Sequence, residues 1–195
     1  MAKTRTFIAV AAIDSVHAAA VGAIERLASA TDNVKWVEPE NLHWTLQFLG
    51  DLDDQEMATV CLRVTRVAAK LPAFTIEGQG VGAFPSVERP RTLWLGAGQG
   101  SEQFCALQRE IEDSLLSLGF RGDARQFTPH LTLGRASRGG NPGLVLSERL
   151  AKLADYPGEG GPGATQAVDE VTVFASELTR DGPKYHVLAS APLGD

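Results

Sequence analysis

One short pattern occurs twice in this chain, each time inside an apolar alternation. Asn41 to Gly50 reads NLHWTLQFLG, and Thr128 to Arg135 reads TPHLTLGR. Both contain His-x-Thr-Leu. Successive side chains of a strand point to opposite faces, so His43 and Thr45 share one face while Leu42, Trp44, Leu46 and Phe48 take the other. The second copy sets His130 and Thr132 opposite Leu131 and Leu133. With 4 His and 13 Thr in 195 residues, chance placement gives roughly 0.3 His-x-Thr triplets. Two matched copies, each placing an imidazole and a hydroxyl on a polar face backed by a core, point away from accident.

The rest of the chain narrows the setting. A length of 195 residues fits one domain, or two small lobes sharing a core. The 44% hydrophobic and 22% charged content is that of an ordinary globular chain, and no stretch reads as a membrane span. The opening MAKTRTFIAVAAID superficially resembles a signal peptide, but its apolar run is short and leads into a helix start, as an internal strand would. A net charge of −6 argues against an extended groove that tracks nucleic-acid phosphates. Between Gly119 and Gly140 the balance reverses, with Arg121, Arg125, Arg135 and Arg138 against one Asp, which suits a small anionic substrate. Cys61 and Cys105 both fall in predicted helices without framework spacing. Inert thiols in a reducing, cytoplasmic setting are expected.

Periodicity predicts a strand over Thr4 to Ile13, capped at Asp14-Ser15, then a helix carrying Val16, Ala20, Ile24 and Leu27 with His17 on its surface. A short strand over Val34 to Val37 precedes the first motif. Asp51, Asp53 and Asp54 favour the start of the next helix rather than a metal, and that helix bears Met57, Val60, Cys61, Val64 and Leu71. Strands follow over Phe74 to Gly80 and Thr92 to Gly96. The latter leads through Gly96-Ala97-Gly98-Gln99-Gly100-Ser101 into a helix with Phe104, Leu107, Ile111 and Leu115. This is the most serious competing motif, since backbone amides at a helix start can cradle phosphate. Its last position is Ser101 where a dinucleotide fingerprint needs Gly, and no acidic strand end follows. A helix over Leu144 to Ala154, a linker at Pro157 to Gly163, and final strands over Val168 to Ala175 and Tyr185 to Ala191 complete the chain. His186, with no following Thr, reads as structural.

Two imidazoles suit a reaction in which one proton leaves a nucleophile while another reaches a leaving group. Opening a cyclic phosphodiester is such a reaction, and Thr45 and Thr132 could donate to the phosphoryl oxygens where charge builds. Nothing in the residues themselves assigns acid and base between His43 and His130. Zinc spacing and a Gly-x-Ser-x-Gly elbow are both absent, and no metal or cofactor is expected.

Taken in order, NLHWTLQFLG, GAFPSVERPRTLWLG and FTPHLTLGR resemble the 2H phosphoesterase superfamily, and within it the bacterial and archaeal RNA 2′,3′-cyclic phosphodiesterases once called 2′-5′ RNA ligases. The similarity runs through nearly the whole chain, including SELTRDGPKYHVL. It implies an α+β, bilobed, pseudo-twofold fold, with two antiparallel-rich sheets flanked by helices around a central cleft, forming one domain of two interwoven lobes over 1–195. It also implies metal-independent hydrolysis of RNA or nucleoside 2′,3′-cyclic phosphate ends to 2′-phosphates by a monomer. By that resemblance His43 is the proton donor to the departing oxygen, His130 the proton acceptor from water, and Thr45, Thr132, Arg135 and Arg91 substrate-binding groups. Simple alternation, however, puts Arg135 on the Leu131 and Leu133 face. Trp44 and Gln47 depart from the pattern HLTLRFLG: Trp44 has core parity, and a basic residue missing at 47 bears on substrate preference. Two other readings use the same cleft: an RNA-end or nucleotide binding module without turnover, and a ligase joining tRNA halves through 2′-5′ linkages.

Overall fold

The computed structural model describes residues 3–122, 126–137, 143–157, 163–180 and 182–194. In chain order these form β1 (Thr4–Ala11), α1 (Asp14–Ala28), β2 (Val34–Trp36), β3 (His43–Leu52), α2 (Asp54–Ala68), β4 (Phe74–Phe84), β5 (Thr92–Ala97), α3 (Ser101–Leu116), β6 (His130–Ala136), α4 (Leu144–Lys152), β7 (Ala164–Val168), β8 (Glu170–Leu178) and β9 (Pro183–Pro192). The α+β class follows. Instead of two sheets there is one, nine-stranded and curled, in the order β7-β4-β5-β6-β3-β1-β8-β9, with β2 pairing β6. Every strand pairing is antiparallel.

The joint between its halves is narrow. β3 and β6, the two motif strands, meet in register at Trp44↔Leu131 alone. On either side the strands are held by other neighbours, β3 by β1 and β6 by β5 and β2. Each motif therefore belongs to its own half, and the two touch at one rung.

Helix α2 starts where the acidic run predicts. Asp53 accepts from the Glu56 amide at 2.9 Å while Glu56 accepts from the Asp53 amide at 2.9 Å, a reciprocal cap. Its face of Val60, Val64 and Ala68 is buried. Helix α1 differs from expectation at its start. Ile13 is the capping position and no side chain caps it; the Ser15 hydroxyl instead donates to the Thr165 carbonyl at 2.7 Å and accepts from the Thr165 amide at 2.9 Å. That contact fastens β7, a five-residue strand that the linker reading passes over. Too short for a period of two to stand out, it is held by its pairing with β4. Of the Pro157 to Gly163 linker, residues 158–162 lie outside the described residues, as do Arg125 and Arg138 of the basic segment.

The core gathers on one face of the sheet. Trp44 is fully buried, as its parity predicts, and its ring lies 5.9 Å from that of Phe104 on α3. Leu46, Leu131 and Leu133 share this core. Cys61 and Cys105 are half-buried on α2 and α3, and burial pushes both thiols up, away from the reactive thiolate.

The glycine loop before α3 is not a phosphate cradle. The Gly98 amide donates to the Glu77 carbonyl at 2.8 Å and the Gln99 amide to the Glu77 carboxylate at 3.2 Å, so β4 already occupies these donors. Gly100 has φ +85°, and a Cβ there would stand 2.1 Å from the Thr75 carbonyl oxygen. These glycines serve close backbone approach.

Candidate active site

Both motif histidines are built alike. The carbonyl two residues upstream accepts from the Nδ1–H of each ring: Asn41 O at 2.7 Å for His43 and Thr128 O at 2.8 Å for His130. A carbonyl cannot donate, so Nδ1 carries the hydrogen in both and Nε2 is left as the working nitrogen. Asn41 is itself fastened, its side-chain amide donating to the Pro183 carbonyl at 3.0 Å. An aromatic ring stands by each imidazole at 5.0 Å, Phe7 beside His43 and Phe84 beside His130.

The Trp44↔Leu131 rung fixes how the two motifs face each other. In an antiparallel pair the flanking positions cross over, so His43 lies across from Thr132, and Thr45 from His130. All four are half-buried, on the face opposite Trp44 and Leu131. The rings and the nearby cation act on one another electrostatically. Burial pushes His43 below the usual imidazole range, the Asn41 hydrogen bond partly offsets this, and the charges of Arg135 and His130 lower it further. His130 is lowered by burial and by Arg135, against the Thr128 hydrogen bond.

Arg135 therefore faces the cleft, contrary to simple alternation. The cause is a bulge: Leu93 pairs with Gly134 but Trp94 pairs with Thr132, so Leu133 and Gly134 together oppose one step of β5. The extra residue shifts the parity of everything after it. Arg135 lands on the face of His130 and Thr132, and its guanidinium donates to the Thr92 hydroxyl at 3.2 Å. Gly134 suits this position because a Cβ would come within 2.8 Å of both Trp36 and Val34 side chains.

Strand β3 has the same device. Ile8 pairs with Gln47 and Ala9 with Thr45, leaving Leu46 and Gln47 against one step of β1. Directly opposed residues share a face, so Gln47 lies with the fully buried Ile8; it is 5% exposed, and neither amide atom has a hydrogen-bond partner. Position 47 thus points into the core and not at the substrate side.

Arg91 is exposed, just before β5. Its amide donates to the Phe84 carbonyl at 2.8 Å and its carbonyl accepts from the Ala136 amide at 2.9 Å, closing the β4–β5 connection. Among the described residues, the arginine charge acting on the two imidazoles is that of Arg135. His186 is exposed, with Nε2 3.2 Å from the Glu177 carboxylate, and His17 is half-buried, 3.1 Å from the Pro39 carbonyl. The sequence reading missed the rings around the histidines, Phe7, Phe84 and Tyr185. Phe7 alternates with Arg5 and Ala9 along β1, which gives its face, but only the β1–β3 pairing reveals that this face is that of His43. Among the described residues, no cluster of three or more His, Cys, Asp or Glu side chains is poised to hold a metal.

Residues 14–176 match the model of the 2′-5′ RNA ligase superfamily. The chain belongs to that superfamily. Among curated members, the RNA 2′,3′-cyclic phosphodiesterase of Methanothermobacter thermautotrophicus is 35% identical over 183 residues, covering 94% of this chain and 95% of its own. That of Aeropyrum pernix is 35% identical over 173 residues, with 85% and 93% covered. Among solved structures, a Thermus thermophilus protein superposes with a TM-score of 0.79 at 27% identity over 98% of this chain and 99% of its own. Escherichia coli LigT complexed with 3′-AMP shares the fold, with a TM-score of 0.74 at 24% identity over 99% of each chain.

Proposed function

We propose that this chain hydrolyses RNA or nucleoside 2′,3′-cyclic phosphate ends to 2′-phosphates, acting as one domain of two interwoven lobes. The observation that carries the reading is the pair of imidazoles, each with Nδ1 committed to a backbone carbonyl and sharing its strand face with a motif threonine, on strands that meet at Trp44↔Leu131. The names of the curated relatives support it.

Water attacks phosphorus as the His130 Nε2 removes its proton. The P–O3′ bond breaks in line, and the proton on His43 Nε2 passes to O3′, leaving a 2′-phosphomonoester. Each imidazole ends in the other's starting state, and exchange with solvent restores both. Arg135, Thr45 and Thr132 hold the non-bridging oxygens, where donors fixed in advance act most strongly. Arg91 is assigned only to the loop that flanks Arg135.

The test is product analysis of an oligonucleotide ending in 2′,3′-cyclic phosphate, incubated with the protein with and without EDTA. The expected product is a 2′-phosphate at a chelator-independent rate. Binding without turnover would identify a nucleotide-binding module, and 2′-5′ joining of tRNA halves a ligase.

A further inference from the structure

A groove of about 400 Å³ opens beside His43, bounded by Asn41, Phe174, Pro183, Lys184 and Tyr185. Its size falls within the range of small-molecule sites. Tyr185 stands nearly perpendicular to His43, with centroids 5.5 Å apart, and meets Phe7 edge-on at 4.9 Å. Its lining sets Lys184 and Glu40 among aromatic and apolar side chains, which is not the uniformly basic lining of a phosphate cradle. The groove suits the neutral part of a nucleotide.

The chemistry says on which side of phosphorus that part must lie. In an in-line opening, water, phosphorus and departing O3′ are collinear, and the ribose hangs from O3′. The nucleoside therefore sits beside whichever imidazole protonates O3′, and water beside the other. Resting on the reading above, in which His43 protonates O3′, we propose that the groove receives the ribose and base of the terminal nucleotide, with the base packed on Tyr185. His130 is then left facing water, with Phe84 edge-on to it at 5.0 Å.

The experiment compares 2′,3′-cyclic AMP with methyl ribofuranoside 2′,3′-cyclic phosphate, which lacks a base, in wild type, Tyr185→Ala and Tyr185→Phe. Base–aromatic stacking is worth about 5- to 150-fold in affinity. Tyr185→Ala should raise KM for cyclic AMP by such a factor and for the base-free substrate by less than about twofold, with Tyr185→Phe recovering most of the loss. Equal effects on both substrates, or a fall in kcat alone, would mean that Tyr185 only positions His43 and would overturn the proposal. Titration of the same proteins with 2′-AMP and ribose 2-phosphate separates this inference from turnover. Base-dependent binding without hydrolysis would sink the enzymatic reading and keep the groove; hydrolysis indifferent to Tyr185 would do the reverse. Should Tyr185→Ala not fold, NMR of the wild type decides: the Lys184 and Tyr185 amides must shift with 2′-AMP and not with inorganic phosphate.

Discussion

Arg135 and Phe48 occupy the same place in the two motif strands, each second after the Leu of His-x-Thr-Leu and each past a one-residue bulge. The backbone symmetry is thus filled asymmetrically, by a guanidinium in one half and by a ring 57% exposed in the other. Phe48 lies 5.9 Å from Phe7. From the β6 side Arg135 supplies a positive charge that both imidazoles feel.

If the two imidazoles are acid and base, His43→Ala and His130→Ala should each lower kcat by roughly 10²- to 10⁴-fold while circular dichroism and melting stay those of a folded protein. Full activity in either folded variant would refute the mechanism.

The acid must carry a proton that burial and Arg135 make harder to hold. Activity of the free protein should therefore fall as pH rises through a pKa below the ordinary imidazole value, and the optimum of kcat/KM should lie below about pH 6.5. A bound phosphate anion stabilises the imidazolium, so the alkaline limb of kcat should lie higher than that of kcat/KM. Stability follows the same sign: below about pH 6.5 the unfolded histidines take up protons that the folded ones resist, so the fold loses stability as pH falls from there through the depressed values. Parallel rate and melting series across this range check both.

Removing the cation should move both rings together. In Arg135→Met, NMR titration of the imidazole signals should show His43 and His130 shifted upward, because a repelling positive charge is gone. Unmoved titrations would place Arg135 away from the cleft.

Gln47 places an amide without partners in the core. Gln47→Leu should stabilise the protein by about 1–3 kcal/mol, the usual cost of an unsatisfied buried polar group, without changing KM. Chemical denaturation measures the first and steady-state kinetics the second; a changed KM would return position 47 to the substrate side.

Much of this was legible in the residues. Strand parity placed Trp44 in the core, and the acidic run before Met57 marked the cap of α2. The His-x-Thr pairs lay on one face as read. Arg135, Gln47 and Phe48, the last expected in the core and found 57% exposed, were misplaced by alternation because a bulge leaves no composition of its own; it appears only when β6 is set against β5, or β3 against β1. The single sheet was hidden for a related reason. Its two halves join at one rung, and no local pattern tells that Trp44 and Leu131 will be neighbours.

The bulge at Leu133 and Gly134 makes the distance along the chain a functional quantity in its own right. Removing Gly134 would keep every side chain named above, yet would turn Arg135 to the opposite face. For this strand a deletion that spares all the chemistry is more damaging than many substitutions, and the length of the segment from His130 to Arg135 is under the same constraint as its residues.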